Sequence, residues 1–244
     1  MTIYDTYTNY CKTQINLDRK DWDFKSKKEY TYVLEHVSYQ HGLEYLNEIL
    51  SKYSHVIDKK IMENLCIEND TYGKPTKYHY EDFIECSPTS LRYILHALHT
   101  LNHIDTHEVN IIEIGGGYGG LCLCINRLSH LFHIKINSYT ILDLPEPSAL
   151  QSTYLVDLDN VTCTTLSEVK DLKHNSFLVS TYSFSEIDLK YQKEYTEKVL
   201  NKYVNHGFIV WNFINIYDFI ENKQFTIHDE VPLTGNNFNK YVYF

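Results

Sequence analysis

Residues 111 to 120 read Ile-Ile-Glu-Ile-Gly-Gly-Gly-Tyr-Gly-Gly. A β-branched run carries Glu113 and turns through a loop with five glycines in six positions, Gly115 to Gly120. A helix is expected to open near Gly119 and Leu121. Glycine tolerates φ > 0 and lets a ligand approach the peptide plane closely. The helix start then offers unpaired N–H groups to an anionic or polar ligand. Strand, glycine loop and helix together make a nucleotide-type cofactor site, with Gly115, Gly117, Tyr118 and Gly119 in its loop.

Two cofactors fit this loop. Gly115, Gly117 and Gly120 match the G-x-G-x-x-G dinucleotide fingerprint. The same residues match the acid-x-G-x-G-x-G loop that binds S-adenosylmethionine, in which Glu113 would shape the pocket for the methionine end. Three features favour the methyl donor. Glu113 stands where dinucleotide strands usually carry an apolar residue. The loop begins more than a hundred residues into the chain. Only 124 residues of the 244 follow Gly120, enough to finish one sheet but not to add a large substrate domain.

Asp143 is expected at the end of the second strand, followed by Leu144. A doubly wound fold places there the carboxylate that takes ribose hydroxyls. A turn or helix cap before Pro145 is the alternative role. Methyl transfer to a hydroxyl also needs a group to remove the acceptor's proton. Glu186, just past the fourth strand, fits best, with Tyr182, Ser183 and Ser185 beside it, although it could equally cap the next helix. His228, Asp229 and Glu230 form a second acid–base set, in which His228 and Glu230 share one face of a strand. Arg92 offers a fork of donors to a phosphate or carboxylate. Asn212 and Asn215 follow the fifth strand, placed to meet hydroxyls.

The elements that must position these residues divide near residue 108. Before it, Leu43, Leu46, Leu50, Tyr53, Ile57, Ile61 and Leu65 recur at helical spacing and predict one amphipathic helix. Ser87 and Pro88 predict the start of another, with Leu91, Ile94, Leu95, Leu98 and Leu101 buried. Arg92, His96, His99 and His103 share a separate face of it, read as a polar stripe in preference to a metal site. After residue 108, strands and helices alternate, which argues a parallel sheet. Strands are expected at 109–114, 138–142, 161–165, 177–182 and 208–213. Gly207 is expected to cap the helix before the last of these. The segments 225–231 and 241–244 read as a terminal antiparallel hairpin. The whole is an α/β, Rossmann-like class I fold with a mostly parallel seven-stranded sheet. An N-terminal helical region, 1–107, precedes the core, 108–244, and is expected to cover the cleft or form a dimer surface.

Composition narrows the partners. Hydrophobic residues make up 43% and suffice for a core, while net charge is −10. No basic run exceeds Lys-Lys, so a nucleic acid backbone is a poor partner. The six cysteines show no C-x-x-C pair and no zinc spacing, which suits a reducing compartment, and no metal is expected. No apolar run reaches the length of a membrane span and no signal peptide opens the chain. The expected location is cytoplasmic.

Five ordered motifs carry a resemblance. Glu113-Ile-Gly-Gly-Gly-Tyr-Gly-Gly and Thr140-Ile-Leu-Asp-Leu-Pro145 stand at the centre. Ser87-Pro-Thr-Ser-Leu-Arg-Tyr93 lies upstream, and Ser183-Phe-Ser-Glu-Ile187 and Glu230-Val-Pro-Leu-Thr234 follow. Over about residues 70 to 244 the chain resembles the sugar O-methyltransferase family of S-adenosylmethionine-dependent enzymes. The resemblance implies S-adenosylmethionine as cofactor and a sugar or nucleotide sugar as acceptor. The cofactor contacts are then expected from Glu113, Gly115, Gly117, Tyr118, Gly119, Asp143, Leu144 and Tyr182, and by their chemistry and position Arg92, Ser183 and Asn212 are the candidate acceptor contacts. The Asp-Leu-Pro piece is also similar to that of plant-type small-molecule O-methyltransferases. Those enzymes place a catalytic histidine in the loop after the fourth strand, where this chain has none, which leaves Glu186, His228 and Glu230 as candidate bases. Another small hydroxylated acceptor, a non-catalytic cofactor-binding module and a nicotinamide oxidoreductase remain as rival functions.

Overall fold

The computed structural model describes residues 3–34, 36–235 and 237–244. The N-terminal region supplies helices α1 (Ile3–Gln14), α2 (Lys28–Thr31), α3 (Tyr39–Tyr53) and α4 (Lys59–Asn69). A two-stranded ribbon follows, β1 (Tyr78–His79) with β2 (Glu85–Cys86), then α5 (Pro88–Asn102). The alternating part runs β3 (Glu108–Ile114), α6 (Gly120–Leu128), β4 (Lys135–Leu142), α7 (Pro145–Tyr154), β5 (Val161–Thr164) and β6 (Ser176–Thr181). Helix α8 (Leu189–Tyr195) continues through a π-helical turn, Thr196–Leu200, into α9 (Asn201–Tyr203). Strands β7 (Val204–Trp211), β8 (Thr226–Asp229) and β9 (Lys240–Tyr243) complete the chain.

One sheet of seven strands has the order β5-β4-β3-β6-β7-β9-β8. Every pairing from β5 to β7 is parallel, and β9 runs antiparallel to both β7 and β8. A parallel sheet closed by an antiparallel terminal hairpin is the class I methyltransferase arrangement. Strand order reverses between β3 and β6, and ligands of such sheets bind at the carboxyl ends of the strands beside that switch.

Alternation along the strands sorts the core into two layers. Ile111, Tyr139, Ile141, Val179 and Phe208 pack on one face with α5, α6, α7 and the N-terminal helices. Ile112, Ile114, Leu178, Ile209 and Trp211 pack on the other with Phe184, Val199, Leu200 and Phe219. The first layer is continuous from Tyr7 to Tyr243, so the N-terminal helices share a core with the sheet.

Three expectations need correction. The helix predicted from Leu43 to Leu65 is two helices, because Asp58 caps α4 by accepting from the Ile61 N–H at 2.8 Å. Gly207 lies within β7, opposite Leu178, and ends no helix. A side chain there would meet the Phe244 ring, with a Cβ 2.5 Å from Cζ. Arg92, His96 and His99 of the polar stripe are buried, and only His103, just past the end of α5, is exposed. His99 Nδ1 meets the Tyr243 hydroxyl at 3.0 Å, and the His103 ring stacks on Tyr243 at 3.8 Å. Burial drives the His99 pKa down to about 3, so this histidine is neutral and serves packing. The Ser87 cap is present, its hydroxyl accepting from the Ser90 N–H at 3.2 Å, with Pro88 in the first turn.

Candidate active site

The glycine loop leaves β3 at the switch point. Gly115, Gly117 and Gly119 have φ of +73°, +58° and +98°, where residues with side chains are strained. The loop is also tight. A Cβ on Gly115 would lie 1.9 Å from Ser183 Oγ, and one on Gly119 would lie 2.7 Å from Leu155 Cδ1. Ser183 follows β6, so the first contact records the two strand ends meeting across the switch.

Asp143 sits where expected, at the end of β4 and half-buried. Its Oδ2 accepts from the Gly116 N–H at 3.1 Å and from Gln151 Nε2 at 2.8 Å. Its Oδ1 accepts from the Leu144 N–H at 2.8 Å. Burial pushes its pKa up to about 6, against the pull of these three donors. A carboxylate offers about four acceptor sites, so one remains for a ligand hydroxyl. Leu144 is 47% exposed on the rim beside it.

Glu113 is buried on the same face as Ile111 and accepts from the Tyr139 hydroxyl at 2.8 Å. Burial raises its pKa to about 8, helped by the Asp143 charge and opposed by Tyr139. It is therefore an uncharged acid at neutral pH, a prop beneath the loop.

Tyr118 does not face the ligand edge. Its side chain is fully buried among the N-terminal helices, where its hydroxyl accepts from Asn69 Nδ2 at 2.9 Å. Lys25 Nζ lies 3.9 Å from the centre of its ring. Tyr118 thus anchors the loop from below and is corrected from cofactor contact to support.

On the other side of the switch, Glu186 is exposed to solvent. Its Oε1 accepts from Asn212 Nδ2 at 2.5 Å. Asn212 Oδ1 takes the Ser185 hydroxyl, and the Asn212 N–H donates to Ser185 Oγ at 3.0 Å. Although the residue reaches the surface, the chain packed around its carboxylate keeps part of the water away and raises the Glu186 pKa above the usual range, against the Asn212 hydrogen bond and the Arg92 charge. A carboxylate that is open on one oxygen and tuned upward suits a general base. Asp188 stands at the N-cap of α8 and no side chain caps that helix, so Glu186 does not cap it. Asn212, 6% exposed, holds Glu186 in place, and its amide is already occupied on both atoms.

Glu230 is sequestered. It takes hydrogen bonds from the Tyr182 hydroxyl, from the Thr234 hydroxyl at 2.8 Å and N–H at 2.9 Å, and from Asn239 Nδ2 at 2.9 Å. The Tyr45 hydroxyl of α3 reaches Thr234 Oγ1 at 3.4 Å. This cluster fastens the β8–β9 loop, and it corrects Glu230 from base to anchor. Tyr182 itself has φ of +64°, an outlier for a bulky residue. Arg92 is 5% exposed, donates to the Leu34 carbonyl at 3.1 Å and lies 5.5 Å from the centres of the Tyr93 and Tyr182 rings. His228 is exposed on β8, three strands from β6, so the structure does not bring it to Glu186. Among the described residues no histidine, cysteine and carboxylate cluster could hold a metal ion.

Two contributors were not visible in the sequence. Gln151 of α7 is fully buried and joins Asp143 to the Gly117 carbonyl, which it reaches at 2.9 Å. Helix α1 lies along the carboxyl edge. Tyr7 and Cys11 feel the Asp143 charge, and Tyr4 feels those of Glu186 and Asp188. These residues are one helical turn apart, on one face, so α1 bridges the two halves of the edge.

No family model and no curated protein matches the chain. Among solved structures it is similar to one from Methanococcus maripaludis assigned as an S-adenosyl-L-methionine-dependent methyltransferase. Identity there is 12% and the TM-score 0.45, over 62% of this chain and 83% of that one. A mitomycin 7-O-methyltransferase gives 11% and 0.41, and the match covers 64% of this chain but only 55% of that enzyme. A SAM-dependent methyltransferase from Aquifex aeolicus gives 15% and 0.37, over 55% and 80% of the two chains. At these scores the likeness carries no weight of its own. The class I assignment stands on strand order and direction.

Proposed function

We propose that this protein is an S-adenosylmethionine-dependent O-methyltransferase acting on a hydroxyl of a sugar or sugar conjugate. The observation that carries the reading is one juxtaposition. The switch point sets the glycine loop and Asp143 on one side of the carboxyl edge, and the half-open carboxylate of Glu186 on the other.

The residues present fit the cofactor. The left-handed glycines admit a close backbone approach, and Asp143 keeps one acceptor site for a ribose hydroxyl. Leu144 supplies an apolar surface beside it. When bound, the cofactor supplies an electrophilic methyl group, and the protein's task is alignment and exclusion of water. Glu186 accepts the proton that the acceptor hydroxyl sheds as its oxygen takes the methyl group. Asn212 keeps that carboxylate oriented.

Exposed aromatic residues near this edge support a sugar. Phe213 just after β7 is 65% exposed and Phe238 in the β8–β9 loop is 69% exposed. Flat rings of this kind pack against the C–H face of a sugar. The setting of Arg92 favours an uncharged sugar over a nucleotide sugar, since its guanidinium is turned to a protein carbonyl and two tyrosine rings. Among the described residues no helix is long and apolar enough to cross a membrane.

The test is calorimetric titration with S-adenosylhomocysteine and, in parallel, NADH, followed by transfer of labelled methyl to a panel of sugars and glycosides. Binding of S-adenosylhomocysteine alone, with label in a glycoside, supports the reading. Binding of NADH alone overturns it.

A further inference from the structure

Gln151 Oε1 is a buried acceptor with no hydrogen-bond partner among the described residues. The orientation of the amide is fixed, because Nε2 donates to two acceptors, Asp143 Oδ2 at 2.8 Å and the Gly117 carbonyl at 2.9 Å. A flipped amide would set oxygen against both. A buried acceptor left without a donor is costly, and such groups in native proteins usually have a reason.

The neighbouring carboxylate has the complementary shortage. Three of its roughly four acceptor sites are filled by Gly116, Leu144 and Gln151 itself. A ribose presents two adjacent hydroxyl donors. Asp143 has room for one of them, and the adjoining amide has one oxygen to spare.

We infer that Asp143 and Gln151 divide the ribose diol between them, the carboxylate taking one hydroxyl and Gln151 Oε1 the other. This rests on the cofactor reading above and adds a binding residue to it. Gln151 then does two jobs. Nε2 locks the carboxylate to the glycine loop, and Oε1 reads the second hydroxyl.

The test pairs a residue change with a ligand change. Adenosine, 2′-deoxyadenosine and 3′-deoxyadenosine compete against S-adenosylhomocysteine on the wild-type protein and on Gln151→Met. The variant should bind adenosine about tenfold more weakly, the value of one hydrogen bond at such a site. It should lose much less affinity for one of the two deoxy ligands, because that ligand lacks the hydroxyl Gln151 would have met. Equal losses on all three ligands would show a structural role only and overturn the assignment. If Gln151→Met does not fold, the wild-type protein decides. The deficit of one deoxy ligand should shrink as pH falls through about 6, where Asp143 takes a proton, while the deficit of the other stays constant. The groups facing Asp143 are Tyr7 and Cys11 of α1, Glu113 of β3, Cys163 of β5 and Tyr195. The burial of Tyr7, Cys11, Cys163 and Tyr195 holds their pKa values above 10, and Glu113 stays protonated to about 8, so none of them titrates near 6. Two deficits with the same pH dependence would overturn the division. Failure of S-adenosylhomocysteine to bind the wild-type protein at all would overturn the cofactor reading and this inference together.

Discussion

Asn212 donates its amide N–H to Glu186 at 2.5 Å while its own oxygen takes the Ser185 hydroxyl. One end of the Glu186 carboxylate is thus fixed to the residue that follows β7, and the other is left for chemistry. If Glu186 is the base, Glu186→Gln keeps the hydrogen bond and removes the proton acceptor. Turnover should fall by about 10²–10⁴-fold, with S-adenosylhomocysteine affinity unchanged. Unchanged turnover would dismiss Glu186 and leave the acceptor hydroxyl without a protein base.

Asn212→Ala should act through Glu186. The Asn212 hydrogen bond holds the Glu186 pKa down against burial, so its loss raises that pKa further. The acid limb of the kcat profile, set by the ionised carboxylate, should therefore move to higher pH. A variant that loses activity at every pH without that displacement would mean that Asn212 is only a packing residue.

Asp143 has a pKa pushed up to about 6 by burial. Cofactor affinity depends on the ionised form, so it should be full above pH 7 and fall as pH drops through 6. Asp143→Ala removes a charged acceptor worth about 1.5–3 kcal/mol and should weaken S-adenosylhomocysteine binding about tenfold to a hundredfold. Its affinity should also lose the pH dependence near 6. Calorimetry at pH 5 and pH 8 on both proteins checks this, and a retained slope in the variant would assign the titration elsewhere.

The placement of Asp143 and of the glycines was legible because it depends on local sequence. A carboxylate ending an apolar strand before Leu-Pro, and a run of glycines ending another, announce their backbone conformations within ten residues. The Glu230 cluster was not legible. Its donors come from Tyr182, 48 residues earlier, and from the loop that follows it, and Tyr45 joins from 189 residues before Thr234. Polar alternation in 225–231 is equally consistent with solvated edge charges, and only the folded loop shows that Glu230 turns inward. Tyr118 misled for a related reason. Its place in the loop suggested a ligand contact, whereas its hydroxyl is taken by Asn69 of α4 and its ring by Lys25, from segments that carry no motif. The face of α1 marked by Tyr4, Tyr7 and Cys11 is too short and mixed to advertise what it covers.

Tyr182→Phe tests the anchoring role of Glu230. The change removes one donor to a carboxylate that is 2% exposed. The remaining Thr234 and Asn239 bonds carry the charge less well, at a cost of about 1–3 kcal/mol. Tm should fall by roughly 3–10 °C, with the β8–β9 loop exchanging amide protons faster. Equal stability would mean that Tyr182 contributes nothing beyond the Thr234 and Asn239 contacts.

Glu113 makes a prediction with a sign. Its folded pKa is raised to about 8 by burial, while an unfolded glutamate titrates near 4.3. The folded state therefore holds a proton that the unfolded state releases. Stability from this group is fully present below about pH 4 and is lost progressively as pH rises, until the loss is complete near 8. Glu113→Gln cannot ionise and keeps an acceptor for the Tyr139 hydroxyl. The two proteins should be nearly equal in stability at pH 4. The variant should then gain on the wild type with rising pH and level off above 8. The gain should be on the order of a few kcal/mol, because each tenfold difference in proton affinity between the folded and unfolded states is worth about 1.4 kcal/mol. Urea unfolding at pH 4, 6, 7 and 9 measures the difference. A gap that is constant over this range would show that Glu113 is ionised in the folded protein. Since Glu113 is uncharged at neutral pH, the variant should also bind S-adenosylhomocysteine at pH 7 with little loss. A large loss would restore Glu113 as a charged contact for the methionine end.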